Sequence, residues 1–195
     1  MSLVLGVFGP IGAGKTTVSL LIQKKYDYFY LNADTLGHQI IELPLMKKKM
    51  VDLFGLSVCT ETGEIDRKKV RQVVFNDSTY KNKLESILWP KMTNEIKKKI
   101  KNQNKVVFEA AVLFSAGWNQ LCDFTIYVGA SPATIHTHCQ TKFTKTEVER
   151  VLYSQQTIIE QRELADFQLT NDEGIEVLDL AVMQVMESIQ KRGMK

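Results

Sequence analysis

Gly9-Pro10-Ile11-Gly12-Ala13-Gly14-Lys15-Thr16 satisfies the pattern G-x-x-x-x-G-K-[ST] at every fixed position. The run before it, Leu3–Phe8, is apolar, and after it Val18, Leu21 and Ile22 recur at helical spacing. The loop therefore joins a buried strand to an amphipathic helix, the context that gives the motif its chemistry. Small residues let successive backbone N–H groups turn inward around a phosphate, and the new helix adds its positive end. Gly12, Ala13, Gly14, Lys15, Thr16 and Thr17 are the expected nucleotide cradle. Within it Lys15 is expected to reach the β- and γ-phosphates of ATP, and the Thr16 hydroxyl to ligate Mg²⁺.

Working outward, three further apolar runs read as buried parallel strands: Phe29–Leu31, Val106–Phe108 and Phe124–Val128, with a weaker fifth at Phe167–Leu169. Stretches of helical spacing separate them. Alternating strands and helices predict a three-layer α/β fold with a parallel sheet, the P-loop NTPase architecture. Between Asn32 and Lys105 the interval is too long for one crossover helix. It reads as helices over 34–42, 44–54, 67–75 and 78–88, then another begun by Pro90 in its first turn. Such an all-helical excursion, about 43–104, suits a substrate-binding insertion, and a polar excursion at about 130–160 suits a mobile lid. No repeat or Pro/Gly-rich linker divides the chain, so residues 1–195 read as one domain.

The 195 residues are 44% hydrophobic and 24% charged with a net charge of +3, a soluble balance too weakly basic to argue for nucleic acid. The N-terminus lacks the pattern of a signal peptide, and no apolar run approaches a membrane span. Cys59, Cys122 and Cys139 are odd in number and unrelated in spacing, so they read as reduced thiols of a cytoplasmic protein. A GTPase would carry an Asn-Lys-x-Asp segment, which is absent. Strand Val106–Phe108 ends in Glu109, which leaves a motor-type ATPase open. Glu109 itself reads equally as a contact to substrate or to Mg²⁺ through water, and as a carboxylate satisfied by local N–H groups. Asp34, after the strand at 29–31, reads as a helix cap or as a base for an acceptor hydroxyl, and the two roles are compatible.

From Val4 to about Asn171 the chain resembles the dephospho-CoA kinase family, which phosphorylates the ribose 3′-hydroxyl of dephospho-CoA in the last step of coenzyme A synthesis. Gly6–Thr17 is similar to the family's opening. Asn32-Ala33-Asp34 resembles its Asp-Ala-Asp segment, whose last member is the family's proposed base. Gly63-Glu64-Ile65-Asp66-Arg67 resembles a Gly-x-x-Asp-Arg turn and Val74-Phe75 the Val-Phe after it. Leu84–Pro90 is similar to Leu-Glu-x-Ile-x-His-Pro, and Leu113-Phe114 to part of a Pro-Leu-Leu-Phe-Glu loop. Gln155 and Leu164–Asn171 are similar to the family's ending beside adenine. The resemblance implies ATP and Mg²⁺ as cofactors, Asp34 and Lys15 as catalytic, and Asn171 as a further nucleotide contact. It implies Asp34, Arg67, Lys68, Phe75, Pro90, Glu109 and Leu113 on the substrate side, with dephospho-CoA as a small-molecule partner of a monomer, and neither nucleic acid nor membrane.

Departures accompany the likeness. Asn32 replaces the first Asp, Trp89 the His before Pro, Ala111 the Pro and Ser115 the Glu of the later loop. Two lid arginines that hold the transferring phosphate in the family correspond to His136 and Gln140, with Lys142, Lys145 and Arg150 the cations available in the same excursion. These departures keep two alternatives open: a kinase for another nucleoside or nucleotide, and an ATP-holding relative that transfers little. His136-Thr137-His138-Cys139 does not read as a metal site, because positions two apart on a helix diverge. The lysine runs 47–49 and 97–99 read as solvated faces.

Overall fold

The computed structural model describes residues 2–193, apart from the side chains at 75 and 76. Five strands, β1 (Leu3–Phe8), β2 (Phe29–Asn32), β3 (Lys105–Glu109), β4 (Phe124–Gly129) and β5 (Phe167–Thr170), form one sheet in the order β2-β3-β1-β4-β5. Every pairing is parallel, with Val7 opposite Glu109 and Ile126, and Asn32 opposite Glu109. All five expected strands are present, each within one or two residues of its apolar run. Period-2 alternation assigns their faces. Leu5, Val7, Val107, Ile126 and Val128 pack with Val18 and Ile22 of α1 (Lys15–Tyr26) and with Leu178, Val182, Met186 and Ile189 of α9 (Ile175–Gly193). Each such fully buried aliphatic side chain stabilises the fold by about 1.5–3 kcal/mol. Lys25 of α1 also bonds Asp179 of α9 at 2.6 Å. Phe8, Phe108 and Tyr127 turn to the opposite face, where Phe114 of the β3–β4 connection meets Phe8 at a ring distance of 4.9 Å and Trp118 meets Phe108 at 5.8 Å.

The described chain resolves into two compact units, Met1–Asn32 with Ile100–Lys195, and Ala33–Lys99. The second is helical: α2 (Ala33–Ile41), α3 (Pro44–Phe54), α4 (Arg67–Asn76) and most of α5 (Ser78–Lys101). Its buried residues include Leu36, Ile40, Met46, Met50, Val58, Val70, Leu88, Met92 and Ile96. A Cβ on Gly37 would lie 3.4 Å from Met92 Cε, so α2 runs close against α5 there.

The expectation of two helices meeting at Pro90 is corrected: α5 is one 24-residue helix with Pro90 inside it. Leu88, Met92 and Ile96 are buried at four-residue spacing, so one apolar stripe continues across the proline. Pro90 stands on the exposed side of the helix, away from that stripe. After β4 come α6 (Pro132–Cys139), α7 (Lys145–Ser154) and α8 (Gln156–Glu160), which occupy the expected second excursion. No helix among the described residues is long and apolar enough to cross a membrane.

Candidate active site

The loop at 9–16 leaves the carboxyl end of β1 and passes directly into α1 at Lys15. Gly12 and Gly14 take φ of +70° and +101°, values that let the chain curl round a small space. Gly14 occupies the N-cap of α1 and supplies no side-chain acceptor, so the first-turn N–H groups are not capped from that position. The Pro10 carbonyl accepts from the Lys15 ammonium at 2.8 Å and from the Ala13 N–H at 3.4 Å. A cationic side chain and a loop amide thus converge on one oxygen, the arrangement a phosphate oxygen would also attract.

Three consecutive loop residues are held from outside. The Ile11 N–H donates to Gln155 Oε1 at 2.8 Å, and the Asn171 carboxamide donates to the Ala13 carbonyl at 3.1 Å. His138 Nδ1 lies 2.7 Å from the Gly12 carbonyl. A carbonyl can only accept, so Nδ1 carries the hydrogen. Asn171 is buried, and its own N–H donates to Gly129 at the end of β4 at 2.9 Å.

Below the loop runs a chain of side-chain bonds. The Thr16 hydroxyl donates to Glu109 Oε1 at 2.9 Å, the Tyr30 hydroxyl donates to Glu109 Oε2, and Asn32 Nδ2 donates to the Tyr30 oxygen at 3.0 Å. Parallel pairing of β1, β3 and β2 brings these residues to one edge of the sheet. Glu109 is 5% exposed, and hydroxyl groups satisfy it rather than the turn N–H groups weighed from sequence. Burial, then the hydrogen bond to Glu109, pushes the Tyr30 phenol up to about 12. A hydroxyl and a carboxylate bonded to each other at the foot of a phosphate loop are hard oxygen donors, the kind Mg²⁺ takes.

Residues 3–176 match the family model described as dephospho-CoA kinase. The chain belongs to the dephospho-CoA kinase family. It is 33% identical over 174 residues to the dephospho-CoA kinase of Borreliella burgdorferi, covering 87% of this chain and 84% of that one. To the dephospho-CoA kinase of Fusobacterium nucleatum it is 29% identical over 193 residues, covering 96% and 98%. A solved dephospho-CoA kinase from Campylobacter jejuni superposes with a TM-score of 0.69 at 24% identity, covering 99% of this chain and 100% of that one. A shikimate kinase from Bacteroides thetaiotaomicron superposes with a TM-score of 0.60 at 13% identity over 96% of this chain and 98% of its own. At these identities the solved structures show a shared α/β kinase fold.

The residues that carry this family likeness are spread unevenly. Gly12, Ala13, Gly14, Lys15, Thr16, Thr17, Glu109 and Asn171 all belong to the sheet-bearing unit. Arg67 and Lys68 are exposed in the first turn of α4, behind Asp66, whose carboxylate accepts the Lys68 N–H at 2.9 Å. Pro90 is exposed on α5, and the Phe75 side chain lies outside the described residues. Asp34 is exposed and is the second residue of α2, because the helix already starts at Ala33; the capping role weighed for it is corrected accordingly. Leu113 is 0% exposed and packs at Gly6, where an added Cβ would meet its Cδ2 at 2.7 Å. The structure therefore makes Leu113 a core residue with no surface for a substrate.

His136, Thr137, Gln140, Phe143, Lys145 and Val148 line a cleft of about 370 Å³ between α6 and α7. Ile135, His138 and Cys139 form a different face of α6, the one that meets Gly12. Sequence reasoning missed the contacts of His138 and Tyr30. Each rests on a partner 79 or more residues away, for which no local pattern exists.

Proposed function

We propose that the protein transfers the γ-phosphate of ATP to the ribose 3′-hydroxyl of dephospho-CoA. The observation that carries this reading is the family match over residues 3–176, which spans the phosphate loop, the helical unit 33–99 and the α6–α8 segment. In this mechanism Lys15 exchanges the Pro10 carbonyl for the β- and γ-phosphates, and loop N–H groups hold the β-phosphate. The Thr16 hydroxyl would hold Mg²⁺, with Glu109 orienting that hydroxyl. Bound there, the metal neutralises charge on the phosphate oxygens. Asp34 stands two residues beyond the end of β2, a strand parallel to β1, and in this reading it orients the acceptor hydroxyl and takes its proton during attack. The helical unit is assigned the substrate, with Arg67 and Lys68 directed at its pyrophosphate and Pro90 and Phe75 at its neutral parts. Residues 130–160 act as the lid that excludes water and suppresses ATP hydrolysis. The setting is a monomeric cytoplasmic enzyme acting on a small molecule, with no role for nucleic acid or membrane.

The test is mass spectrometry of dephospho-CoA incubated with ATP, Mg²⁺ and the protein. A product heavier by one phosphoryl group, about 80 mass units, is expected, and it disappears with Lys15→Ala. Asp34→Asn should slow product formation while leaving ATP binding intact. ATP binding with no product from dephospho-CoA overturns the substrate assignment. A second reading, a nucleotide-holding relative with slow transfer, draws on His136 and Gln140, which line the α6–α7 cleft and stand at the positions to which the family resemblance gives arginines. Single-turnover rates across a panel of nucleoside and nucleotide acceptors separate the two.

A further inference from the structure

In a trans peptide the carbonyl of one residue and the N–H of the next point in opposite directions. A loop that turns its N–H groups toward a phosphate must therefore turn carbonyls outward, where donors from neighbouring elements can fix their direction. In this loop the Gly12 carbonyl finds one in the His138 Nδ1–H at 2.7 Å, and the Ala13 carbonyl finds one in Asn171 at 3.1 Å. The peptide planes 12–13 and 13–14 are thereby oriented from behind, with the Ala13 and Gly14 N–H groups on the opposite side.

His138 comes from α6, and a second residue beyond α6, Gln155, takes the Ile11 N–H at 2.8 Å. The α6–α8 segment therefore grips the loop at residues 11 and 12. The contact is close-fitting: a Cβ on Gly12 would meet Cys139 Sγ at 2.7 Å and the Ile135 carbonyl at 3.1 Å. Positions 136, 137 and 140 of α6 turn instead to the α6–α7 cleft.

We propose that His138 is a positioning residue for nucleotide binding: its Nδ1–H fixes the Gly12 carbonyl outward and so presets the following N–H groups for the β-phosphate of ATP. The proposal rests on the reading of the loop as an ATP site and not on the identity of the acceptor. Its test is therefore calorimetric titration of the full chain with Mg²⁺-ATP in the absence of acceptor. His138→Ala and His138→Leu remove the donor, while His138→Asn keeps a short N–H donor close to the Nδ1 position. Loss of one hydrogen bond to an aligned backbone group should weaken ATP binding about 5-fold in the first two variants, and His138→Asn should restore it to within about 2-fold. Thermal midpoints should be unchanged, and in turnover assays the KM for ATP should rise while the KM for the acceptor does not. Wild-type ATP affinity in both His138→Ala and His138→Leu overturns the proposal. So does a His138→Asn variant as weak as His138→Ala, or a rise in both KM values together with a lowered midpoint, which marks a merely structural contact. Failure to phosphorylate dephospho-CoA would leave the calorimetric result standing and bear only on the acceptor.

Discussion

Replacing Gly14 by Ala tests how the loop is braced, and the structure sets the size of the effect. Gly14 has φ +101°, and an added Cβ would fall 2.3 Å from Asn171 Nδ2, 3.2 Å from its Cγ and 3.7 Å from its Cβ. Two costs follow. Left-handed backbone in a residue with a Cβ costs about 1–2 kcal/mol. The carboxamide must also withdraw, which breaks its bond to the buried side of the Ala13 carbonyl, a loss of about 1–3 kcal/mol. Gly14→Ala should then destabilise by about 2–5 kcal/mol, and Asn171→Ala alone by about 1–3 kcal/mol. In the double variant the same bond is lost only once, and the remaining 3.7 Å approach to the Asn171 Cβ is ordinary contact. The pair should therefore fall short of additivity by about 1–3 kcal/mol. Urea unfolding of the four nucleotide-free proteins, with midpoints and slopes fitted together, reads this directly. Additivity within about 0.5 kcal/mol would refute the reasoning, since it would mean that the new Cβ leaves the carboxamide in place.

Two further expectations concern the surroundings of the loop. Tyr30 has its phenol raised to about 12, so folding favours the protonated form; that contribution is whole below pH 10 and is lost as pH rises through about 12. Tyr30→Phe should flatten the alkaline fall of the urea midpoint between pH 10 and 12 relative to the native protein, and an unchanged slope would refute the assignment. In α7 the Thr144 hydroxyl accepts the Glu147 N–H at 3.3 Å, and Glu147 Oε2 accepts the Thr144 N–H at 2.7 Å, a reciprocal capping box. Thr144→Ala should cost about 1 kcal/mol and speed amide hydrogen exchange in α7 several-fold, whereas unchanged exchange there would rule the box out as a stabiliser.

The strands were legible because a strand buried on both faces writes itself as an apolar run, and the phosphate loop because its chemistry confines residue types at fixed spacing. Errors arose where a local rule met a tertiary fact. Pro90 signals a helix start by local preference, yet the buried series Leu88, Met92 and Ile96 carries the helix through it. Asp34 has the residue type of a cap, but β2 passes into α2 without an intervening loop, so the helix begins one residue earlier. Leu113 shares the residue type of a lining position and is instead drawn into the space that Gly6 leaves beneath the sheet. Glu109 could be placed at a strand end from sequence; which groups satisfy it depended on the register of β2, β3 and β1, and no single strand encodes that register.

The bonds around the loop bear on how the chain can work with His136 and Gln140 at the positions to which the family resemblance gives arginines. On α6 the face toward the loop is occupied by Ile135, His138 and Cys139, while positions 136 and 140 belong to the cleft shared with Lys145. A helix cannot turn both faces to one phosphate at once, because side chains two positions apart project in divergent directions. With α6 seated on Gly12, the segment's contribution at the loop is to hold backbone, and charge at the loop itself comes from Lys15. An arginine introduced at 136 or 140 would accordingly enter the α6–α7 cleft beside the Lys145 ammonium, where like charges repel, unless α6 first releases Gly12. Single arginine variants should thus leave ATP affinity unchanged in the His138 background and gain transfer rate only if the His138–Gly12 bond opens during the cycle. That makes the charge at positions 136 and 140 and the α6 bond to the loop one coupled question rather than two.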